Sequence, residues 1–274
     1  MKIAVTGSTG FIGAALVRHL REKRHGVLAL DRTNMFEADL SGIDAIIHCA
    51  GLAHRSGRAL PDHAGFNAIN NILTQRLALR ADCFGVRRFV FVSTINVVAG
   101  NPSPLSPDMP HSPLSDYGRS KAAAERALLS MKGMEIVIAR PSLIYGPDAP
   151  GNFRKLMGLL RSPVWLPFGK AGNKRSFLSI TNAVRALEFL AASEAGRVSG
   201  RIFHLAEPES LSTVRIVTQC RLAMGQPAKL INVPGPVVKL ALAAFGRLEV
   251  YRQLFDDLEV DTSSLIRAGF GYED

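Results

Sequence analysis

The sequence predicts a doubly wound α/β fold, a parallel sheet with helices on both faces, and a smaller C-terminal domain. An apolar strand runs into a glycine-rich turn and a helix at the N-terminus, strand-like and helix-like segments then alternate, and glycine and proline become frequent from Gly146 onward. This alternation favours parallel pairing through right-handed crossovers. We expect residues 1–145 and about 181–207 to form the sheet domain, and about 146–180 and 208–274 the smaller one.

The bulk composition is that of a folded globular chain of 274 residues, with 47% hydrophobic and 20% charged residues. The start, MKIAVTGSTG, lacks the charged and apolar regions of a signal peptide, and no stretch approaches the roughly 20 apolar residues that span a bilayer. The apolar segment VVKLALAAFG at 237–246 predicts a buried or surface-lying helix. We therefore expect a cytoplasmic protein with no membrane span.

The net charge of +10 indicates either a solvated basic surface or attraction to anionic ligands such as dinucleotides and nucleotide-sugar diphosphates. Nucleic acid is not expected as a partner, because the basic residues are scattered and are not interleaved with aromatic residues. The three cysteines, Cys49, Cys83 and Cys220, are far apart and form no CxxC. This pattern predicts neither a disulfide framework nor a metal site.

The N-terminal strand, turn and helix predict a dinucleotide site. KIAVT at 2–6 is followed by GSTGFIG and then by AALVRHLREKR. Gly7 permits the tight turn, Gly10 lets backbone amides approach a pyrophosphate, and Gly13 lets the helix pack closely on the strand. The pyrophosphate then lies at the positive end of the helix. A glycine turn without a ligand is the alternative, and the flanking strand and helix disfavour it. The expected contacts of this turn are Gly7, Thr9, Gly10, Phe11, Ile12 and Gly13.

The second strand, VLALD at 27–31, ends in a carboxylate. Asp31 can accept hydrogen bonds from the adenosine ribose hydroxyls and would repel a 2′-phosphate, which favours NAD over NADP. Arg32 could instead receive that phosphate, so NADP remains an alternative cofactor. Asp31 could also be a solvated or helix-capping residue with no ligand role. The segment between 31 and 44 is short, so any strand there is vestigial, and Asp39 and Leu40 could flank the adenine.

Further strands and helices continue the alternation. DAIIHCAG at 44–51 predicts a buried strand ending in Cys49, Ala50 and Gly51, whose small size lets a cofactor lie across the strand ends. The later predicted elements are a helix over 66–84, a strand over 87–94, a helix over about 116–131, a strand over 135–140, a helix over 181–193 that starts with a Thr-Asn cap, and a last strand over 201–207.

The stretch SDYGRSKAAAE at 115–125 places Tyr117 and Lys121 four residues apart, on one face of a helix. Ser93 and Thr94 close the preceding strand, at the sheet edge where such folds bind ligands. A tyrosine has a pKa near 10, and a lysine ammonium and an oxidised nicotinamide would both lower it. We expect Tyr117 to exchange a proton with substrate, Thr94 to hold the same substrate oxygen, and Ser93 to assist. A YxxxK alone also arises by chance on helix surfaces.

In combination these motifs resemble the extended short-chain dehydrogenase/reductases, the NAD-dependent epimerase/dehydratase family, whose sheet domain is a Rossmann fold. TGSTGFIG resembles the family's TGxxGxxG and HCAG its HxA(A/G), and VFVST, YGRSK and RPSLIYGP complete the series over nearly the whole chain. More narrowly, AGLAHR, GNF and KRSFLSITNAV resemble bacterial UDP-N-acetylglucosamine 4-epimerase-like proteins and UDP-4-keto-6-deoxy-sugar reductases of surface-polysaccharide gene sets.

The resemblance implies further site residues and an assembly. Val98 stands where the family usually has an aromatic residue, and the family commonly forms homodimers through the helices near 67–81 and 116–131. Implied cofactor contacts are Asn70, Lys121, Arg140 and Pro141. Implied substrate contacts are His54, Thr94, Asn96, Asn152, Arg175 and Arg252.

The reaction implied by the resemblance is hydride transfer at C4 of a UDP-hexose, with NAD as cofactor and a transient 4-keto intermediate, as in a 4-epimerase. An NAD(P)H-dependent reductase of a UDP-4-keto-6-deoxy-hexosamine is the alternative, and a catalytically silent NAD-binding scaffold or sensor is a third. A 4,6-dehydratase is disfavoured, because such enzymes carry an Asp-Glu pair after the threonine, and Ile95 and Asn96 stand there.

Overall fold

The computed structural model describes residues 1–53 and 62–273. Its centre is a six-stranded parallel sheet in the order β2-β1-β3-β4-β5-β8. This confirms the predicted parallel α/β fold. The sheet strands are β1 Lys2–Thr6, β2 Gly26–Leu30, β3 Ala45–His48, β4 Arg88–Val92, β5 Glu135–Pro141 and β8 Arg201–Leu205, and a separate parallel pair is formed by β6 Leu143–Tyr145 and β7 Phe177–Ser179.

Helices cover both faces of the sheet because the strand side chains are apolar on both sides. Helix α1 packs against α6 over one core cluster, which includes Val5, Val90 and Leu187. Helices α3 and α4 cover the other, around Ile46, Phe91 and Leu128. The sheet-domain helices are α1 Phe11–Glu22, α2 His63–Asn67, α3 Leu73–Cys83, α4 Asp116–Leu129, α6 Ile180–Ala192 and α7 Ala195–Val198, with a π-helical turn, Ala68–Ile72, joining α2 to α3.

The segment between β2 and β3 forms turns and contributes no strand, as its length predicts. Strand β2 is therefore an edge of the sheet. Met35 and Leu40 from this segment are buried in the core on the α3 side, so the turns close over the sheet edge without extending it.

Helix α6 begins one residue earlier than predicted and uses a different cap. The side chain of Ser179 accepts a hydrogen bond from the Asn182 amide, 3.1 Å away, so serine takes the place of the expected Thr-Asn pair. A serine oxygen one residue before the first helical turn satisfies an amide that the helix leaves without an acceptor.

A small lobe, residues 146–175 and 208–258, has its own apolar cluster around Leu160, Phe168 and Val217. The final residues differ from the predicted division, because helix α11, Ser263–Arg267, returns to the sheet and buries Leu265 in its core. Among the described residues, no helix has the length and apolar character needed to cross a membrane. The small lobe contains α5 Gly151–Arg161, α8 Thr213–Ala223, α9 Gly235–Ala244 and α10 Leu248–Phe255.

Candidate active site

The glycine turn after β1 brings two stretches of backbone into direct contact. Gly7 has a φ of +65°, and a Cβ on it would lie 2.8 Å from the Ala50 amide nitrogen. A Cβ on Gly13 would lie 2.1 Å from the Gly7 carbonyl oxygen, so only glycine allows α1 to start this close to the turn. Gly10 is the N-cap of α1. The first amides of that helix have no intrahelical acceptor and give the turn a positive end.

A cleft opens at this turn and is lined by eight of the seventeen predicted cofactor residues. Met35 was not predicted to be part of it, because no strand or motif marks the segment between β2 and β3. The lining combines a positive helix end, small residues and a carboxylate, which fits a dinucleotide. The cleft is lined by Gly7, Thr9, Gly10, Asp31, Arg32, Met35, Cys49, Ala50 and Gly51.

Asp31 is held in position by its own loop. Its Oδ1 accepts hydrogen bonds from the Thr33 hydroxyl at 2.7 Å, the Thr33 amide at 2.8 Å and the Asn34 amide at 3.3 Å. The Thr33 side chain, then the two amides, lower the pKa of Asp31 below its ordinary value. Within the described part of the chain no group hydrogen-bonds to Oδ2, so that oxygen can accept from a ribose hydroxyl. Arg32 is exposed beside it.

Three predicted cofactor residues have side chains directed elsewhere. The side chain of Ile12 packs against the core, so this residue and Phe11 offer their backbone amides to the turn. Leu40 is completely buried in the core, and the Asp39 carboxylate is exposed and accepts from the Ser41 amide at 2.9 Å. Neither Asp39 nor Leu40 lines the cleft, because the turn that holds them folds back onto the sheet.

Thr94 and Tyr117 meet where β4 ends and α4 begins. The side chain of Ser115 caps α4 by accepting from the Gly118 amide at 3.1 Å, which places Tyr117 in the first turn. A Cβ on Gly118 would lie 2.8 Å from the Asn96 carbonyl oxygen, so glycine allows the helix to start beside the loop that carries Thr94. Asn96 itself is exposed, and its amide donates to Thr94 Oγ1 at 3.2 Å.

Phe66 from α2 supports the tyrosine ring, with centroids 6.2 Å apart and an angle of 60° between the planes. Phe66 is 5% exposed. Sequence reasoning did not single it out, because an aromatic residue on a helix is usually core and its partner lies about fifty residues away in the chain.

The predicted decrease in the Tyr117 pKa was expected for a cleft that holds an oxidised nicotinamide, and the chain alone shifts this pKa in the other direction. Burial raises the pKa of Tyr117 to about 12, and a hydrogen bond with the Thr94 side chain opposes that rise. Lys121 does not lower the Tyr117 pKa in this arrangement. The chain by itself therefore keeps the phenol protonated at neutral pH.

Lys121 lies deeper, against the strand ends. Its Nζ donates to the Val92 carbonyl at 2.9 Å and lies 4.4 Å from the centroid of the Phe91 ring. A Cβ on Gly51 would lie 3.2 Å from this Nζ, so the lysine reaches the β3 edge of the cleft. Burial lowers the pKa of Lys121 to about 8, although Cys49 opposes this effect. Burial also raises the pKa of the Cys49 thiol to about 12, so the thiol is neutral.

A buried ion pair behind Thr94 and Tyr117 corrects two predicted roles. The Glu125 carboxylate is fully buried and accepts from the Ser93 hydroxyl at 2.5 Å and from Arg140 Nη2 at 2.7 Å. Ser93 and Arg140 thus bind Glu125 in the core and do not line the cleft. Pro141 ends β5 next to this pair. His111 Nε2 also lies 2.7 Å from the carboxylate, and the Lys121–Glu125 spacing of four was the available sequence signal.

Asn70 joins three segments around the site. Its Oδ1 accepts from the Leu52 amide at 2.7 Å, and its Nδ2 donates to the Leu52 carbonyl and to Ser120 Oγ, each at 3.0 Å. Both ends of the amide are used, so Asn70 holds the segment after β3 against α4. Its Oδ1 nevertheless lies close to Gly51 at the cleft, 3.1 Å from where a Cβ would stand.

His48 is a neutral core histidine beside this site. The Thr74 hydroxyl donates to the Asn70 carbonyl at 2.9 Å, so it must accept from His48 Nε2, 3.0 Å away. Nδ1 then accepts from the Thr6 hydroxyl at 2.6 Å. Burial, followed by the charge of Lys121, lowers the pKa of His48 to about 3.

The substrate-side predictions fall on both lobes. Arg175 Nη1 donates to the Asp256 carbonyl at 2.8 Å and approaches the Arg252 carbonyl at 3.4 Å, so Arg175 and Arg252 lie together in the small lobe. Asn152 lies in the first turn of α5. His54 lies outside the described residues. Val98 is buried in a core cluster with Leu105, so its side chain faces away from the cleft.

Comparisons with known proteins agree with this geometry. A UDP-glucose 4-epimerase of Vibrio cholerae is 31% identical to this chain, over 95% of the chain and 87% of its own length. A 2-alkyl-3-oxoalkanoate reductase of Stenotrophomonas maltophilia is 27% identical, over 83% of this chain and 77% of its own. The structure of MoeE5 in complex with UDP-glucose and NAD matches with a TM-score of 0.76 and 24% identity, covering 100% of this chain and 94% of that chain.

The family assignment comes from the match to residues 3–206, which contain the sheet, the glycine turn, Thr94, Tyr117 and Lys121. The model that matches describes the NAD dependent epimerase/dehydratase family. This stretch is well over half of the chain, and the Vibrio relative extends the similarity through the small lobe. The chain therefore belongs to the NAD-dependent epimerase/dehydratase family.

Proposed function

We propose that this chain is an NAD-dependent 4-epimerase of a UDP-hexose. The observation that carries the proposal is that Thr94 and Tyr117 share a hydrogen bond at the carboxyl edge of the sheet, while Lys121 lies deeper against the end of β4 and reaches Gly51 in the glycine-turn cleft. The family and the Vibrio cholerae relative support it. At C4 of a UDP-hexose the hydroxyl proton can pass to the Tyr117 side, and the hydrogen on the carbon can pass as hydride to the cofactor, within one pocket.

The cleft would hold NAD, with Asp31 Oδ2 on the adenosine ribose and the first amides of α1 on the pyrophosphate. When bound, NAD takes a hydride from the sugar and returns it. Lys121 Nζ has three hydrogens and donates one to Val92, so two can reach the nicotinamide ribose hydroxyls. NADP stays open through Arg32, which is exposed beside Asp31.

Tyr117 is the residue that exchanges the proton with the C4 hydroxyl, and Thr94 shares a hydrogen bond with the same oxygen. Because burial raises the pKa of Tyr117 to about 12, this exchange requires positive charge brought into the cleft with the cofactor. The phenol therefore stays protonated until the cleft is loaded. Epimerisation then requires the 4-keto sugar to turn before hydride returns to its other face.

The small lobe would hold the nucleotide diphosphate and the sugar. Arg175 and Arg252 lie together there, and Asn152 lies in the first turn of α5. By its family the chain would act as a homodimer through α3 and α4. Ile72, in the π-helical turn before α3, and Leu79, in α3, are 47% and 57% exposed, which supports an interface on this side.

Two variants test the proposed chemistry. Tyr117→Phe should lower epimerase turnover on UDP-hexoses by about a thousandfold, since general acid-base groups contribute at that scale, while NAD retention stays unchanged. Tyr272→Phe is the control, because Tyr272 packs against the core of the sheet domain. Turnover of Tyr117→Phe within a few fold of the unmodified protein would remove Tyr117 from the mechanism.

A 4-keto-sugar reductase is the second candidate, and the similarity to the Stenotrophomonas maltophilia reductase supports it. The same side chains would act, but reduced cofactor would be consumed once per product. An epimerase needs no added reductant and purifies with NAD, whereas stoichiometric NAD(P)H oxidation with a 4-keto sugar would identify the reductase. A protein that binds NAD and transfers no hydride to any nucleotide sugar would instead be the scaffold.

A further inference from the structure

Helix α9 turns a stripe of apolar side chains away from the protein. Val238 is buried and Leu242 is partly buried, so that side of the helix faces the small lobe, where α9 packs against α10. Val237 and Leu240 are 56% and 74% exposed, and Phe245, which caps the helix, is 80% exposed. Positions 237, 240, 241 and 244 repeat at helical spacing, so they form one continuous face, the α9 stripe.

A second apolar pair lies on the same lobe, close in sequence to the start of α9. Leu166 pairs with Leu230 in a short parallel bridge, and Leu166 is buried while Leu230 is partly buried. Their neighbours Trp165 and Ile231 point outward and are 62% and 46% exposed. A tryptophan that is mostly exposed, on the same lobe as an exposed isoleucine, is apolar surface of the kind that binds another molecule or a membrane.

The charge of the chain is concentrated in the same lobe. Residues 146–175 and 208–258, which form the small lobe, contain twelve of the 33 lysines and arginines and five of the 23 acidic residues. The rest of the chain has 21 basic and 18 acidic residues. Seven of the ten net positive charges therefore lie in the small lobe.

Several of these charges are available at the surface. Arg215 and Lys174 pair with glutamates, and Arg221 is buried among backbone carbonyls. The exposed basic residues with no acidic partner within 4.0 Å, as far as the described side chains extend, include Lys239 within α9, Arg247 just after it, Arg161 and Lys170.

We propose that this basic, apolar face of the small lobe docks on the surface of an anionic lipid bilayer. Exposed leucine, phenylalanine and tryptophan side chains enter the headgroup boundary, while lysines and arginines next to them attract anionic headgroups. A second copy of the chain is a poorer occupant, because a two-fold interface would set this positive face against itself. Docking would bring the substrate lobe to the membrane and leave the sheet domain in water.

Vesicle sedimentation of the full chain tests the proposal. The protein should bind vesicles of phosphatidylglycerol and phosphatidylethanolamine and should bind phosphatidylcholine vesicles far less, with binding that weakens as salt rises. Leu240→Glu with Phe245→Glu should weaken binding by more than about tenfold. Lys239→Gln with Arg247→Gln should weaken it roughly twenty-fold, since each basic residue contributes on the order of fivefold.

Ile266→Glu is the matched control. Ile266 is 50% exposed on α11, which packs on the sheet domain, and this variant should bind vesicles like the unmodified protein. Circular dichroism and cofactor retention verify that every variant is folded. Vesicle binding does not depend on turnover, so a failed 4-epimerase assay would leave this test valid. No binding to the anionic vesicles, equal binding to neutral ones, or binding unchanged by both double variants would overturn the proposal. A halved molar mass of Leu240→Glu in solution would identify a second copy as the occupant and would also overturn it.

Discussion

Replacing Glu125 by glutamine removes one charge from the buried ion pair that joins α4 to the ends of β4 and β5. The carboxylate and the Arg140 guanidinium are 0% and 1% exposed, and Arg140 Nη2 and Nε both donate to the carboxylate, at 2.7 and 3.0 Å. The variant keeps the side-chain volume but leaves the arginine without its countercharge and sets an amide against donor groups.

The expected cost is about 3–5 kcal/mol of unfolding free energy, because a buried charge that loses its partner is left uncompensated in a medium of low polarity. For a chain of this size each kcal/mol corresponds to roughly 2–4 °C, so the melting temperature should fall by about 10 °C. Glu209→Gln is the matched control. It breaks the pair with Arg215, whose side chains are 64% and 49% exposed, and should cost less than about 1 kcal/mol.

Thermal and urea unfolding of both variants at neutral pH measure these costs. Equal stability losses for Glu125→Gln and Glu209→Gln would refute the reasoning, since burial would then make no difference to the value of the pair.

The pH dependence gives a second readout. Burial raises the pKa of Glu125, but hydrogen bonds from His111, Arg140 and Ser93, with the charge of Arg140, outweigh it and set that pKa below the ordinary value. Its contribution is therefore present above the pKa of an unfolded glutamate, near 4.3, and is lost as pH falls through the lower folded value. The stability gap between the unmodified protein and Glu125→Gln should narrow below about pH 4. A gap that widens on acidification would contradict the assigned direction.

Three further predictions concern the cofactor turn, a core histidine and the assembly. Gly13→Ala should abolish NAD retention, because the new Cβ would lie 2.1 Å from the Gly7 carbonyl oxygen. Gly158→Ala, where a Cβ would meet nothing within 4 Å, should retain NAD. Fluorescence of each purified variant with added NADH measures cofactor binding. Burial lowers the pKa of His48 to about 3, so the folded chain keeps this histidine neutral while the unfolded chain protonates it below about pH 6.5. The free energy of unfolding should therefore fall as pH drops from about 6.5 towards 3, and urea unfolding of His48→Gln should show a smaller fall over that window than the unmodified protein. Ile72→Glu should convert a dimer into monomers by sedimentation, while Ile266→Glu should not; a dimer that survives would place the interface elsewhere.

The motif-level predictions depended on short stretches of chain, and these are the ones that agree with the structure. A glycine turn between an apolar strand and a helix is decided within about twelve residues, and Gly7 makes the predicted tight turn while Gly13 lets α1 pack closely against it. The cleft-facing role of Asp31 followed in the same way from a strand end. Leu40 was misjudged, because whether a turn residue faces a ligand or the core depends on how the turn folds back.

Ser93 and Arg140 show the same limit at longer range. Both stand beside residues of the site in the sequence, and both bind Glu125, which is 32 residues from one and 15 from the other. Phe66 also could not be predicted, because its contact with the Tyr117 ring joins α2 to α4, which are far apart in the sequence.

The sequence by itself determined the parallel α/β sheet, the dinucleotide turn and the order Thr94, Tyr117, Lys121, because periodicity, glycine placement and spacing along one helix are local properties. The tertiary structure alone decided which charges and rings surround those residues. Desolvation raises the Tyr117 pKa in the chain alone, and spacing could not show this, since desolvation depends on everything packed around a group and not on its neighbours in the chain. The tertiary structure also brought two basic segments, 146–175 and 208–258, together around one apolar cluster, because folding joins segments that the chain keeps far apart.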